Sequence, residues 1–165
     1  MYNVLDVAKY VINYSHDVGA SITNLKLQKI LYYIQAAFLV KKQERCFGER
    51  IVAWELGPVS IETYNMYKHY GREEIPKQAP REEMQFDGEK FAIKIKEVDI
   101  SNQLKVLDKK IIEEVVEAYK EVKDPFELVK KTHIERPWKD TTRNDEIKCE
   151  KIKEYYSHHI EKIYN

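Results

Sequence analysis

The stretch NLKLQKILYYIQAAFLVKK, from Asn24 to Lys42, decides how the rest of this chain must fold. Leu27, Leu31, Ile34 and Phe38 recur at the spacing of one stripe on a 3.6-residue helix. Ile30, Tyr33, Ala37 and Val40 fill a neighbouring stripe, and Tyr32, Ala36 and Leu39 carry the apolar surface further round. From Ile30 to Val40 only Gln35 breaks the run. A surface helix shows one apolar stripe, so a helix apolar on most sides is covered on most sides. At 1.5 Å per residue it spans roughly 28 Å, the width of a small domain. It falls short of the about 20 mainly apolar residues of a membrane span. Lys26, Gln28 and Lys29 at one end and Lys41-Lys42 at the other are expected to hold its ends in water.

Around that rod the chain reads as helical. A first helix is expected from about Val4 to Ser15, capped by Asn3, with Asp6 suited to the positive end of the helix dipole. Leu5, Ala8, Val11 and Ile12 form its buried stripe, and Gly19 ends it. Ser21 or Thr23 caps the central helix, with Ile22 as a hydrophobic staple. Gly57-Pro58-Val59 reads as the start of a third helix, with Ser60 as an alternative cap, running through Ile61, Tyr64 and Tyr67 to Gly71. Prolines 76 and 80 close the helical texture, and the segment near 83–96 reads as a hairpin turning at Asp87-Gly88, with Phe91, Ile93 and Ile95 alternating. A long helix is expected over about 102–122 with Leu104, Leu107, Ile111, Val115 and Ala118 inward. Asp124-Pro125-Phe126-Glu127 starts a short helix carrying Leu128 and Val129, broken at Arg136-Pro137-Trp138. Asn144 caps a last helix over about 145–163, with Ile147, Ile152, Tyr155, Tyr156, Ile160 and Ile163 as its apolar positions. The expectation is a mainly α, single compact domain over 1–165, with about six helices round the 24–42 rod.

Composition narrows the function. Hydrophobic residues make up 43 % and charged ones 34 %, an ordinary globular balance at this length. Lys plus Arg and Asp plus Glu both number 28, so the basic excess that a nucleic-acid grip demands is missing. Cys46 and Cys149 stand apart without a zinc or disulfide pattern. Three helical turns, about 16 Å, would separate Cys149 from His159, too far for one metal ion. The N-terminus shows neither signal peptide nor lipidation motif, so a cytoplasmic, membrane-free protein is expected. No GxSxG, GxxxxGK, HExxH or GxGxxG occurs, and five glycines leave little for a phosphate-cradling loop. Neither a cofactor nor catalysis is expected.

Contact residues are sought instead among large polar-tipped side chains. Trp54 beside Gly57-Pro58 reads either as an aromatic anchor before a helix or as a loop that touches a partner. His133 and Trp138 read either as a satisfied helix end with an indole plug or as a contact pair; a base built on His133 with Glu135 or Asp140 is the remaining enzymatic option. Among twelve tyrosines, Tyr70 joins Met66 as a candidate exposed patch on the third helix.

Three segments together resemble one family. They are Thr23-Asn24-Leu25-Lys26-Leu27-Gln28-Lys29-Ile30-Leu31-Tyr32-Tyr33; Ala53-Trp54-x-x-Gly57-Pro58-Val59 with Tyr64 downstream; and Leu128-x-x-x-Thr132-His133-x-Glu135-x-Pro137-Trp138. In this order they resemble the Panacea antitoxin domain family, with its SocA-like antitoxins and phage-associated GepA-like proteins. The resemblance implies a mainly helical antitoxin that neutralises a cognate toxin by direct contact, some members also delivering the toxin to a host protease. It brings no catalytic residue, and marks Leu27, Leu31, Tyr32, Tyr33, Phe38, Val59, Tyr64, Thr132 and Pro137 as structural. A phage or prophage effector that disables a host protein needs the same kind of surface, and a small hydrolase using His133 stands further off.

Overall fold

Local chemistry sets the helix starts. In the computed structural model, which describes residues 1–87 and 92–165 (with backbone alone for 81–87 and 92–98), the Asn3 side chain accepts from the Leu5 amide at 2.8 Å and opens α1, Val4–Asp17. Gly19, at φ +71°, releases the chain from it. Val4, Val7, Ala8, Val11 and Ile12 are its buried face, with Leu5 half-buried at the margin. Thr23 Oγ1 accepts from the Lys26 amide at 3.3 Å and opens α2, Asn24–Lys41.

The central position expected of α2 holds: every residue from Lys26 to Leu39 is buried, Leu27, Leu31, Tyr32, Tyr33 and Phe38 among them. Its N-terminal end, however, is not in water. Lys26, Gln28 and Lys29 are buried with the rest, because each reaches a backbone group of a covering segment. Lys26 Nζ donates to the Val122 carbonyl at 2.8 Å, and Lys29 Nζ to the Pro58 carbonyl at 3.3 Å. Gln28 Oε1 accepts from the Ser60 amide at 3.0 Å and the Thr63 hydroxyl at 3.1 Å. Further along, Gln35 Oε1 accepts from the Cys46 amide at 2.9 Å while its Nε2 donates to the Phe47 carbonyl at 3.1 Å. The polar residues of this helix are thus ties to the loops that wrap it, and a buried polar group so satisfied is tolerated. Lys41 and Lys42 at the other end do reach the surface, pairing with Glu114 at 2.5 Å and Asp108 at 2.7 Å.

Gly57-Pro58 does not start a helix. Ile51–Trp54 (β1) and Gly57–Ser60 (β2) form a tight antiparallel hairpin, with Trp54 opposite Gly57 and Ala53 opposite Pro58. Gly57 sits at φ +105°, outside any helix, so the chain must turn back there. Helix α3 begins only at Ile61 and runs to Tyr67, with a 3₁₀ turn to Tyr70 and a stop at Gly71, φ +59°. Its inward residues are Thr63 and Tyr67; Ile61 and Tyr64 are half-buried.

The expected second hairpin is present as β3, Arg81–Asp87, paired with β4, Ala92–Val98. Gly88 of its expected turn, Phe91 and the side-chain alternation of Ile93 and Ile95 lie outside the described residues. Helix α4 spans Val106–Ala118, shorter than expected, after a 3₁₀ turn at Ile100–Gln103. Leu107 was expected inside but is 71 % exposed, whereas Asp108, Ile112, Val115 and Val116 face inward. The Asp108 carboxylate explains the rotation: it accepts from Tyr2 Oη at 2.6 Å and pairs with Lys42, which turns its side of the helix to the core. Asp124 caps α5, Pro125–Ile134, by accepting from the Phe126 amide at 2.9 Å. Instead of a plain break, Arg136–Lys139 adds one helical turn, α6.

The last helix, α7, runs over Cys149–His158, not from 145, and Ile160–Ile163 follows as a 3₁₀ turn. Asn144 has φ +69° and caps nothing. Residues 144–147 instead pair with the free edge of β1: the Asn144 amide donates to the Ala53 carbonyl at 2.8 Å and the Ile147 amide to the Ile51 carbonyl at 2.8 Å. The mainly α fold expected round 24–42 is what the chain adopts, with seven α-helices among the described residues. None of them is long and apolar enough to cross a membrane.

Candidate partner-binding surface

The three sequence segments, far apart in the chain, converge in space. A Cβ on Gly57 would stand 2.6 Å from Lys29 Cε and 2.8 Å from Thr132 Oγ1, so a residue of each segment meets at this point. Thr132 Oγ1 lies 3.0 Å from both the Leu128 and Val129 carbonyls of its own helix. Burial alone drives the Lys29 ammonium down to about 7 from its ordinary 10.5.

A second polar cluster ties α5 to α2 and α7. Glu135 Oε2 accepts from Tyr33 Oη at 2.9 Å and Tyr156 Oη at 2.6 Å, and Oε1 pairs with Lys131 at 2.6 Å. Desolvation and the nearby carboxylate push the Tyr33 and Tyr156 phenols well up, as desolvation does for Tyr32. His133 stacks flat on Trp138, ring centroids 3.9 Å apart and planes 9° off parallel. Trp138 Nε1 donates to the Trp54 carbonyl at 3.0 Å, which locks this pair onto the β1–β2 turn. Nε2 of His133 is buried without a hydrogen-bond partner, and burial, with the Lys29 charge, moves its imidazole downward. Glu135 is committed to the tyrosines and Lys131, and Asp140 to Arg136 at 2.9 Å, so the two carboxylates offered to His133 by the sequence are both engaged elsewhere.

Outside these clusters the β1–β2 turn forms one wall of an open groove of about 810 Å³, and the start of α5 forms the other. Trp54 and Tyr64 meet edge to face in it at 4.8 Å. Leu56 at the tip of the turn and Phe126 in the first turn of α5, each 43 % exposed, flank them. Of the contact residues expected from sequence, Trp54 lines this groove; Gly57 and Pro58 are buried beneath it. Met66 is exposed on α3 but lies outside the groove, and Tyr70 is half-buried against the core, 4.0 Å from the His69 ring. His133 and Trp138 sit behind the turn. Val59 and Tyr64, marked as structural, also line the groove, while Pro137 is buried in α6.

The model of the family described as antitoxin SocA-like, Panacea domain, matches residues 27–139. The chain belongs to that family. No curated protein and no solved structure matches it. The matched span of this Panacea domain runs from Leu27 in α2 to Lys139 at the end of α6, taking in Lys29, the β1–β2 hairpin, Thr132 and Trp138. Family membership supports an antitoxin role in general and a protein as partner. Sequence reasoning missed Leu56 and Phe126 as groove walls. The signal was a bulky apolar residue at the tip of a two-residue hairpin loop and another just after a helix cap, both places where side chains face out. Among the described residues, no group of three or more His, Cys, Asp or Glu is placed to hold a metal ion.

Proposed function

We propose that this Panacea domain is a cytoplasmic antitoxin that neutralises a cognate toxin by direct protein–protein contact, made on the face around Trp54 and the β1–β2 turn. Family membership over 27–139 supports the antitoxin role, and the observation that carries the choice of face is the open apolar groove walled by Trp54, Leu56 and Val59, which lie within the matched span. Aromatic anchors in a concave, partly desolvated setting are where binding energy concentrates. His133 and Trp138 serve this face from behind by fixing the turn, and Met66 extends it along α3. Delivery of the bound toxin to a host protease is a further step of the same contact. Co-expression with the product of the adjacent gene tests the reading: growth is rescued and the two proteins co-purify. A neighbour that is not toxic, or a toxic one left active, overturns it.

A further inference from the structure

Strands β3 and β4 pair only with each other among the described residues, and neither lies along a helix or a second sheet. The chain leading into them is fixed: Asn13 Oδ1 accepts from the Gln78 amide at 2.7 Å and its Nδ2 donates to the Gln78 carbonyl at 3.1 Å, which ties Gln78 to α1 just before β3. Beyond that tie runs a ribbon from the Arg81–Val98 pair to the Asp87–Ala92 pair, with an open edge on each side. A two-stranded ribbon alone is marginal in water, and further strands are one way to make it stable. An open edge is also a template for another strand. The register sorts the residues onto two faces. Met84 opposite Ile95 and Phe86 opposite Ile93 share one face with the Glu82–Glu97 pair; Glu83 opposite Lys96 and Gln85 opposite Lys94 share the other with Arg81 and Asp87.

We propose that β3 is a dimer edge: two copies of this chain join β3 to β3, antiparallel about Met84, in a four-stranded sheet ordered β4-β3-β3-β4. Charge complementarity selects both the strand and the register. About Met84, Arg81 falls opposite Asp87 of the second copy at both ends, Glu83 opposite Gln85, Glu82 opposite Phe86, and Met84 opposite itself, so no like charges meet across the join. A two-fold centred on Glu83 sets that carboxylate against its own copy, and one centred on Gln85 sets Glu83 against Asp87. A slip of one residue brings the apolar face of one copy beside the charged face of the other. The β4 edge fails the same test, because every two-fold pairing that uses most of that strand puts a lysine, Lys94 or Lys96, against a lysine. Those lysines then guard the outer edges of the dimer sheet against further growth. No residue of β3 or β4 lines the groove beside Trp54, so the join does not use that face.

Analytical ultracentrifugation of the full-length protein over a range of concentrations tests this, and a reversible monomer–dimer equilibrium is expected. Arg81→Asp sets carboxylate against carboxylate at both ends of the join, and Asp87→Arg sets guanidinium against guanidinium. Each weakens dimerisation by about tenfold or more, because the symmetry applies every change twice. Mixing the two single variants restores dimers, since each copy supplies the charge that the other needs. The double variant Arg81→Asp with Asp87→Arg dimerises on its own for the same reason. Circular dichroism is unchanged throughout, so the loss in the single variants is one of association. A wild-type protein that stays monomeric, growth into open-ended species, single variants that dimerise like the wild type, or a mixture that stays monomeric overturns the proposal.

Discussion

Lys29 is the residue whose behaviour most depends on where the fold puts it. Its ammonium is fully buried, has a single carbonyl partner, and carries a pKa lowered to about 7 by desolvation. Between about 7 and its ordinary 10.5 the unfolded chain binds a proton that the folded chain does not, so stability rises with pH across that window. Lys26, lowered to about 8, adds to the rise. Above about 10 the sign reverses, because the buried Tyr32, Tyr33 and Tyr156 keep protons that their unfolded counterparts lose. Melting temperature is therefore expected to climb from neutral to mildly alkaline pH and then fall. Lys29→Met flattens the climb and is more stable than the parent below pH about 7, where the parent carries a buried charge. Identical pH profiles for the two proteins would contradict this account. Gly57 is the matching constraint. Gly57→Ala strains φ +105° and drives Cβ into Lys29 and Thr132, and a loss of about 2 kcal/mol or more is expected in denaturant unfolding.

At the scale of elements, α2 carries the molecule. Leu31, almost wholly buried on it, is expected to cost about 2–5 kcal/mol when cut to Ala; a melting shift of a degree or less would mean that this face is not packed. The position of α2 was legible because its apolar residues leave no polar side, and α1, α3 and α5 because Asn3, Asp124, Gly19 and Gly71 are caps and stops with local chemistry. What misled was chemistry completed only by distant partners. Lys26, Gln28 and Lys29 look like a wet helix end until the Val122, Pro58 and Ser60 backbones arrive. Gly57-Pro58 looks like a helix start because its strand partner, β1, is short, and the 144–147 segment that completes the pairing comes from far along the chain. Leu107 looks buried by period, but the Tyr2–Asp108–Lys42 cluster rotates α4 away from it. At the candidate site the same holds: Trp54 was readable as an anchor, whereas Leu56 and Phe126 acquire meaning only as facing walls.

Taken whole, the molecule is a buried rod whose polar residues hold its own wrapping, with the groove on the side where the β1–β2 turn and α5 approach each other. Beneath that groove, within the matched span, Gly57 lies against Lys29 of α2 and Thr132 of α5, and Trp138 donates to the Trp54 carbonyl. One consequence concerns light. The chain has two tryptophans, and both belong to this corner: Trp54 lines the groove, and Trp138 is hydrogen-bonded to the Trp54 carbonyl and stacked on an imidazole that protonates in acid. Tryptophan emission, excited at the red edge where the twelve tyrosines do not absorb, is therefore a native dye placed at one spot. Titrating the purified protein with the toxin proposed as its partner should shift that emission, without labelling, as the ligand displaces water from Trp54. A complex that forms with the spectrum unchanged would place the meeting point on another face.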